Sequence, residues 1–286
     1  MQAEDSSVEA DGSRRQTWHT SDRQLLVGRR WLRPGAQRGV LLVHGLGEHA
    51  GRYAALAGWL HAHGFDVLAY DQRGHGRSSG ARGALAHPDD LLDDLAVVHA
   101  DYAAHFDAAP YLLGHSMGGL VVLRAVLDRR VAPAALIVSS PALRTHEPAW
   151  KQRLAARLAR WLPGLPLPNG LPADKLSHDP AVVAAYRSDP LRHGRITPRL
   201  ADFIFRVGAA TIADAASLPL PTLLLVAGDD HLVDASGSQA FAARAAGTGR
   251  LATQVFAPLW HELFNEAEPG RAQVLAVLDA WLARQR

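Results

Sequence analysis

The sequence predicts an α/β fold, a mostly parallel central sheet covered by helices, with a helical segment inserted between two strands. Short runs of β-branched residues and leucine without polar alternation recur along the chain, as is typical of strands buried on both faces. They lie at Gly39–His44, Asp66–Tyr70, Tyr111–Leu113, Ala135–Val138 and Thr222–Val226, with a more mixed run at Thr253–Ala257. Helical patterns alternate with them, which indicates a parallel sheet with helices on both sides.

The helical patterns and the remaining segments complete this prediction. The helices lie at Tyr53–His63, Asp89–Phe106, Met117–Arg129, Ser238–Ala246 and Arg271–Arg284. Leu25–Val27 and Arg30–Leu32, separated by a glycine, predict a pair of short strands, and the polar residues 1–15 predict a disordered tail. Residues 141–218 hold helical and proline-rich stretches without a buried-strand run, so they predict a cap inserted between core segments 16–140 and 219–286.

Composition excludes several classes of function. The 286-residue chain has a formal net charge of +2 with scattered arginines, so we expect no nucleic-acid partner. It has no cysteine, which excludes disulfides, thiolate nucleophiles and cysteine-based zinc sites. The first residues hold no apolar signal segment, and no apolar stretch approaches the roughly 18 residues that span a bilayer. We therefore expect a cytoplasmic protein, with peripheral membrane contact at most.

A candidate nucleophile lies in a strand–turn–helix context. Gly114-His115-Ser116-Met117-Gly118 fits the pattern G-x-S-x-G, follows an apolar run and opens a helical pattern. This context predicts the nucleophile elbow of an α/β-hydrolase, in which Ser116 occupies a sharp turn and glycines flank it because side chains there would collide. The fold class predicted is therefore the α/β-hydrolase fold with a helical cap.

A serine nucleophile needs a base that is oriented by an acid, and in this fold the chain order is serine, acid, histidine. The loop after Thr222–Val226 holds Asp229 and Asp230, and spacing alone does not choose between them. Asp234 in the same loop is interpreted as a helix cap. His261 follows the last strand, as expected for the base, whereas His231 lies too close to the acids in sequence to be oriented by them.

Tetrahedral intermediates also need N–H donors for the developing oxyanion. One is the amide of Met117, directly after the nucleophile, and the second is expected in the loop after an early strand. That loop reads His44-Gly45-Leu46-Gly47-Glu48-His49, and Leu46 is the candidate donor.

Several segments resemble the monoacylglycerol lipase and lysophospholipase family of α/β-hydrolases, from about residue 17 to the C-terminus. They are HGLGEHAGRY (44–53), DQRGHGRSSG (71–80), GHSMGG (114–119), YRSDPL (186–191) and GDDHLVD (228–234), together with His261. The resemblance implies that Asp230 is the catalytic acid and that no cofactor or metal is needed. It also implies that Glu48, Arg52 and Tyr186 shape the pocket for the polar leaving group, the alternative being that Glu48 and Arg52 pair only to hold the oxyanion loop.

The resemblance implies a serine esterase of single-chain lipids, foremost a monoacylglycerol lipase, with a lysophospholipase or general carboxylesterase as alternatives. Phe264 is a departure, because mammalian monoacylglycerol lipases carry a second histidine at this position, three residues after the catalytic one. Epoxide hydrolases use an aspartate nucleophile, iminopeptidases need acids in the cap for a free amine, and non-catalytic relatives usually lose part of the triad. All three are therefore less favoured.

One helical pattern in the cap is amphipathic. Within Ala149–Leu162 the apolar residues Trp150, Leu154, Leu158, Trp161 and Leu162 recur on one face, and lysine and arginine populate the rest. Periodicity alone favours packing of this face onto the hydrolase body. The resemblance instead favours contact with a lipid surface.

Overall fold

The computed structural model describes residues 8–285, so residues 1–7 of the predicted tail lie outside the described part. Within that part the main sheet has eight strands in the order β1-β2-β4-β3-β5-β6-β9-β10. Strand β2 pairs antiparallel with β1 and β4, and the other pairs are parallel. The strands are β1 Arg14–His19, β2 Leu25–Trp31, β3 Gly39–Val43, β4 Asp66–Asp71, β5 Tyr111–His115, β6 Leu136–Ser139, β7 Leu167–Pro168, β8 Arg195–Ile196, β9 Thr222–Ala227 and β10 Leu251–Phe256.

Helices cover both faces of this sheet, which confirms the predicted α/β-hydrolase architecture. They are α1 Ala54–Ala62, α2 Asp90–Ala103, α3 Met117–Leu127, α4 Ala149–Trp161, α5 Pro180–Ser188, α6 Pro198–Ala213, α7 Ser236–Ala245 and α8 Gly270–Ala283. Along β3, Leu41 and Val43 enter the core under α2 and α3, whereas Val40 and Leu42 enter the core under α1 and α8. Because both faces are buried, this strand shows no polar alternation.

The N-terminal region differs from the prediction. Arg14 and Arg15, placed in the disordered segment 1–15, begin β1, and the buried Ser13 donates its backbone and hydroxyl hydrogen bonds to Asp11 at 3.1 and 2.6 Å. The predicted pair of strands at 25–32 is one continuous strand, β2, whose partner is β1. Its glycine, Gly28, does not interrupt the strand because the indole of Trp18 packs where a side chain would lie.

Between β6 and β9 the chain forms α4, α5 and α6 together with the two-stranded sheet β7–β8. Helix α6 contacts α3 and α7 of the core on one side and α4 on the other. Helix α4 contacts α6, and its apolar face does not pack onto the hydrolase body as periodicity alone favoured. Trp150 and Trp161 are 60% and 76% exposed.

No helix within residues 8–285 is both long enough and apolar enough to cross a bilayer.

Candidate active site

Ser116 lies at the sharp turn between β5 and α3. Its φ of 54° and ψ of −119° are strained for a residue with a side chain. The flanking glycines permit the turn: a Cβ on Gly114 would lie 2.5 Å from the carbonyl oxygen of Gly118, and one on Gly118 would overlap the carbonyl oxygen of Val43. The first amides of α3, with their partial positive charge, follow directly after Ser116.

The candidate acid and base follow the adjacent parallel strands β9 and β10. Asp230 Oδ2 accepts a hydrogen bond of 2.7 Å from His261 Nδ1, and Asp230 Oδ1 accepts from the backbone amides of Leu232 and Val233 at 2.9 and 3.0 Å. An ionised carboxylate only accepts, so Nδ1 carries the proton and Nε2 is free to act as the base. His261 lines the same pocket as Ser116.

The other candidates in these loops have different partners. Asp229 accepts a hydrogen bond from the indole of Trp260 at 3.1 Å and lies 3.5 Å from His231. Neither the Asp229 nor the His231 side chain is buried. Asp234 accepts from the backbone amide of Ser236 at 2.9 Å at the start of α7, although Ala235 rather than Asp234 is the N-cap residue of that helix. Of the two adjacent aspartates, only Asp230 therefore contacts the histidine that shares a pocket with the serine.

The electrostatic surroundings of His261 and Asp230 suit these residues to act as a base and its orienting acid. Burial lowers the pKa of His261, but the Asp230 carboxylate outweighs it, so the pKa is raised overall. Burial raises the pKa of Asp230, and His261 with two backbone amides brings it below its ordinary value. The neighbouring His115, with its ring centroid 4.6 Å from that of His261, has its pKa lowered to about 4 by burial and by His261, so it is neutral at pH 7.

The candidate oxyanion donors, Leu46 and Met117, line one cavity together with Ser116. The loop that carries Leu46 is held by Glu48, whose Oε1 accepts from the backbone amide of Gly45 at 2.5 Å. Preorganised donors of this kind stabilise an oxyanion because no reorganisation is needed during reaction.

The same loop is fastened from the core and from the cap. Gln72 donates its backbone amide to His44 Nε2 at 2.9 Å and its side-chain amide to the carbonyl of His44 at 2.6 Å. His193, from the cap, donates its backbone amide to the carbonyl of Gly47 at 2.9 Å. Gly47 has a φ of 78°, and a Cβ there would lie 2.5 Å from the carbonyl oxygen of His193. The cap therefore contacts the oxyanion loop through its backbone.

A buried charged network lies beside the nucleophile. Arg52 Nη1 donates to Glu48 Oε2 at 2.6 Å, and both Arg52 terminal nitrogens donate to the Glu262 carboxylate at 2.6 and 2.8 Å. The Arg52 guanidinium lies 4.8 Å from the ring centroid of Tyr186, and Tyr53 donates its hydroxyl to Glu48 Oε1 at 2.7 Å. Glu48 thus holds the loop that carries the candidate donor Leu46, Arg52 bonds to Glu48, and both line the pocket beside Ser116.

The network holds its charges at neutral pH. Burial raises the pKa of Glu48, but Arg52, with smaller contributions from His115 and His44, lowers it to about 2. Burial lowers the pKa of Arg52, and Glu262 and Glu48 raise it above its ordinary value. Glu48 is therefore a carboxylate and Arg52 a guanidinium at pH 7.

Sequence reasoning missed three residues of this site. Glu262 is directly bonded to Arg52, Tyr53 to Glu48, and His115 packs beside His261. Signals were available for two of them, since Tyr53 ends the segment HGLGEHAGRY and Glu262 directly follows the candidate base. His115 is the variable residue of G-x-S-x-G, a position that carries no signal of its own.

Two cavities of different character meet at Ser116. The larger, of about 180 Å³, extends under the insertion and is lined mainly by apolar residues, which include Ala142, Leu171, Pro172, Ile196, Ile204, Leu232 and Val233. The smaller, of about 20 Å³, has room for about one water molecule and contains the charged network. Ser116 and Leu46 line both cavities. A scissile bond positioned at Ser116 would therefore have the apolar cavity on one side and the polar pocket on the other.

Comparison with known proteins agrees with this geometry. Residues 35–268 match the serine aminopeptidase S33 family of hydrolases. The chain is 35% identical to the monoacylglycerol lipase of Mycolicibacterium smegmatis over 85% of this chain and 87% of that protein. The chain belongs to the S33 family. The chain is also similar to the phospholipase YtpA of Bacillus subtilis, 31% identical over 80% of this chain and 89% of that protein.

Solved structures extend the similarity. The crystal structure of Paleococcus ferrophilus monoacylglycerol lipase superimposes with a TM-score of 0.80 at 31% identity, covering 95% of this chain and 98% of the other. The resemblance that HGLGEHAGRY and GHSMGG carry in the sequence is therefore confirmed, and so is an S33-family hydrolase fold.

Proposed function

We propose that this protein is a serine carboxylic ester hydrolase of single-chain lipids, foremost a monoacylglycerol lipase that releases glycerol and a fatty acid. The observation that carries the proposal is the position of Ser116 between an apolar cavity and a small polar pocket. A monoacyl ester has one apolar chain and one small polar alcohol on either side of its scissile bond, and the polar pocket, of about 20 Å³, must widen to admit that alcohol. The names of the bacterial and archaeal relatives support the same substrate class.

The proposed reaction uses the geometry of the candidate triad. His261 Nε2 takes the hydroxyl proton of Ser116, whose oxygen attacks the ester carbonyl carbon. The resulting oxyanion accepts hydrogen bonds from the amides of Leu46 and Met117, each of which is worth about 10²–10³ in rate. His261 then gives its proton to the departing alcohol oxygen, which leaves an acyl-serine. A water molecule deprotonated by His261 attacks this ester, and the fatty acid departs as Ser116 regains its proton.

Two alternatives have specific supporting observations. The similarity to the phospholipase YtpA favours a lysophospholipase as the second candidate. The family's aminopeptidase description would instead require a carboxylate for a substrate amine on the acyl side. The one carboxylate along the described lining of the apolar cavity, Glu147, is 2.7 Å from Lys151 and exposed, so it is poorly suited to that task.

A hydrolysis panel tests the proposal. Purified protein is assayed on monoacylglycerols, lysophosphatidylcholine, triacylglycerol, p-nitrophenyl esters of several chain lengths and an aminoacyl naphthylamide. We expect the highest kcat/KM on medium- or long-chain monoacylglycerol and little turnover of triacylglycerol, whose additional chains find no room in the polar pocket. Ser116→Ala should remove turnover, whereas Ser188→Ala, which alters an exposed serine of α5, should not. Preferential cleavage of the naphthylamide would overturn the proposal.

We further propose that α4 makes peripheral contact with lipid surfaces. Four of its apolar residues are between 45% and 76% exposed: Trp150, Leu154, Trp161 and the adjoining Leu162. Cationic groups lie beside both indoles, Lys151 over Trp150 and Arg160 over Trp161. Tryptophans flanked by basic residues suit an anionic interface. Residues 144–147 line the apolar cavity and lie just before α4 in the chain, which would let a lipid pass from the surface to Ser116.

Vesicle binding tests this contact. The double variant Trp150→Ser/Trp161→Ser should bind phosphatidylglycerol vesicles more weakly than the native protein. It should also raise KM for long-chain substrates while sparing soluble short-chain esters. Val255→Ser, at a 43% exposed valine on the edge strand β10, is the matched control. Unchanged vesicle binding with equal losses on short and long chains would show that the face has only a structural role.

A further inference from the structure

The pocket on the polar side of Ser116 carries more negative than positive charge. Its charged lining residues are the carboxylates of Glu48 and Glu262 and the guanidinium of Arg52, a formal sum of −1. Both carboxylates are 4% exposed, and the Arg52 side chain, which lines the same pocket, is 9% exposed. His115 adds no positive charge to this lining because it is neutral at pH 7, and His261 adds none in the form that acts as a base.

The guanidinium in this pocket is already engaged. Arg52 Nη1 donates to both carboxylates and Nη2 donates to Glu262, so three of its five N–H groups are used and an incoming anion could reach only the remaining two. Arg192 contacts the ring of Tyr186, with its guanidinium 5.0 Å from the ring centroid, but it does not line the pocket. The wall also offers a substrate carboxylate oxygens with unused lone pairs, which accept from hydroxyl or ammonium donors and carry the excess negative charge.

Glu262 is held in this position by contacts that do not depend on substrate. Its backbone amide donates to the carbonyl of Leu176 in the insertion at 2.9 Å, and its Oε2 accepts from Asn265 at 3.0 Å. It also directly follows His261, so its charge is fixed next to the group that protonates the leaving alcohol. With either carboxylate neutral the lining would sum to zero, and Glu262 is the one whose replacement leaves the bonds of Glu48 to Gly45 and Tyr53 in place.

We propose that Glu262 is a specificity-determining residue, which makes the site select neutral or cationic leaving alcohols and reject anionic ones such as glycerol phosphate. The inference rests on the proposed esterase function and narrows its substrate class. A phosphate ester beside a buried carboxylate meets repulsion that water screens poorly. A glycerol or an amino alcohol instead donates hydrogen bonds to the same oxygens.

Three substrates with the same acyl chain test this inference: monoacylglycerol, acylcholine and 1-acylglycerol 3-phosphate. We expect native kcat/KM for the phosphate ester to be lower than for monoacylglycerol by on the order of tenfold or more, from one excess charge within several ångströms at an effective dielectric constant of about 20. Glu262→Gln keeps the shape and removes the charge. The variant should raise the ratio of phosphate-ester to monoacylglycerol turnover, and it should lower the ratio of acylcholine to monoacylglycerol turnover. Glu268→Gln, which removes the same charge from an exposed position, should change neither ratio.

The outcomes separate the two proposals. No turnover of any of the three esters by the native protein would contradict the esterase function itself. Equal native kcat/KM for monoacylglycerol and the phosphate ester, or ratios that Glu262→Gln leaves unchanged, would overturn only the role of Glu262. A merely structural role predicts that all three activities fall together, without opposite changes for the anionic and cationic esters. Should Glu262→Gln fail to fold, the native preference among the three leaving groups still decides the charge selection.

Discussion

Replacing Asp230 by asparagine should disable the base without disturbing the fold, and the structure explains why. Asp230 Oδ1 accepts two backbone amides, from Leu232 and Val233, at 2.9 and 3.0 Å. In the variant the asparagine oxygen stays with these amides, because reversing the side chain would set its NH₂ group against two donors at a cost of about 1–3 kcal/mol each. The NH₂ group then faces His261 Nδ1, which must accept. The imidazole proton moves to Nε2, where it blocks proton transfer from Ser116.

The expected loss follows from this change of tautomer. The corresponding replacement in the triad of a serine protease lowers kcat about 10⁴-fold, and we expect a loss of on the order of 10³–10⁴ here, equivalent to about 4–5.5 kcal/mol of activation free energy. The assay is initial-rate hydrolysis of a soluble short-chain p-nitrophenyl ester, with thermal unfolding measured alongside to verify the fold. Asp229→Asn is the control, since that side chain is 57% exposed and bonds to an indole, and it should change kcat only a few-fold. Equal losses in the two variants, or a larger loss for Asp229→Asn, would refute the assignment of the acid.

Three further predictions follow from other contacts. The pKa of His261 is raised above its ordinary 6.5, and catalysis needs the neutral ring. Because of this, kcat/KM should fall with decreasing pH, with an inflection above pH 6.5. A pH–rate profile with a lower inflection would contradict this prediction. Gly118→Ala should lower the free energy of unfolding by about 3 kcal/mol or more, because its Cβ overlaps the carbonyl of Val43, whereas Gly58→Ala in α1, with open space around it, should be stabilising in the same denaturation assay. Glu48→Gln should cost about 2–4 kcal/mol at pH 7 by breaking a buried ion pair. The folded-state pKa of Glu48 is about 2 against an ordinary 4.5, so its stabilisation is present above pH 4.5 and lost as the pH falls toward 2. If acid denaturation shows that the stability difference between the native protein and Glu48→Gln does not shrink over that range, the charge contribution is disproved.

The sheet was largely predictable because strands buried on both faces appear in the sequence as apolar runs without polar alternation. Each predicted buried strand is present, with bounds that differ by one or two residues. Strand β1 escaped prediction because it is an edge strand with charged and polar residues, Arg14, Arg15 and Gln16, whose order comes from pairing with β2 rather than from its own apolar pattern. Gly28 was likewise interpreted as a break between two strands, because its packing against Trp18 is not visible in the local sequence.

The sequence by itself determined which residues are candidates for the chemistry. The turn at Ser116 requires glycines at fixed positions, and the loops after successive strands must supply acid and base in a fixed chain order, so local spacing identifies Ser116, His261 and a pair of aspartates. These are constraints between near neighbours or between strand ends, and both are visible along a chain.

Only the tertiary structure decided contacts between distant segments. Glu262 binds Arg52 across 210 positions, which no local pattern encodes, and Asp229 and Asp230 differ only in the direction that the folded loop gives to each side chain. The apolar face of α4 is exposed although periodicity alone suggested burial, since α4 contacts α6 through other residues. An amphipathic pattern records that a face is apolar, whereas the packing of the other elements determines what covers it.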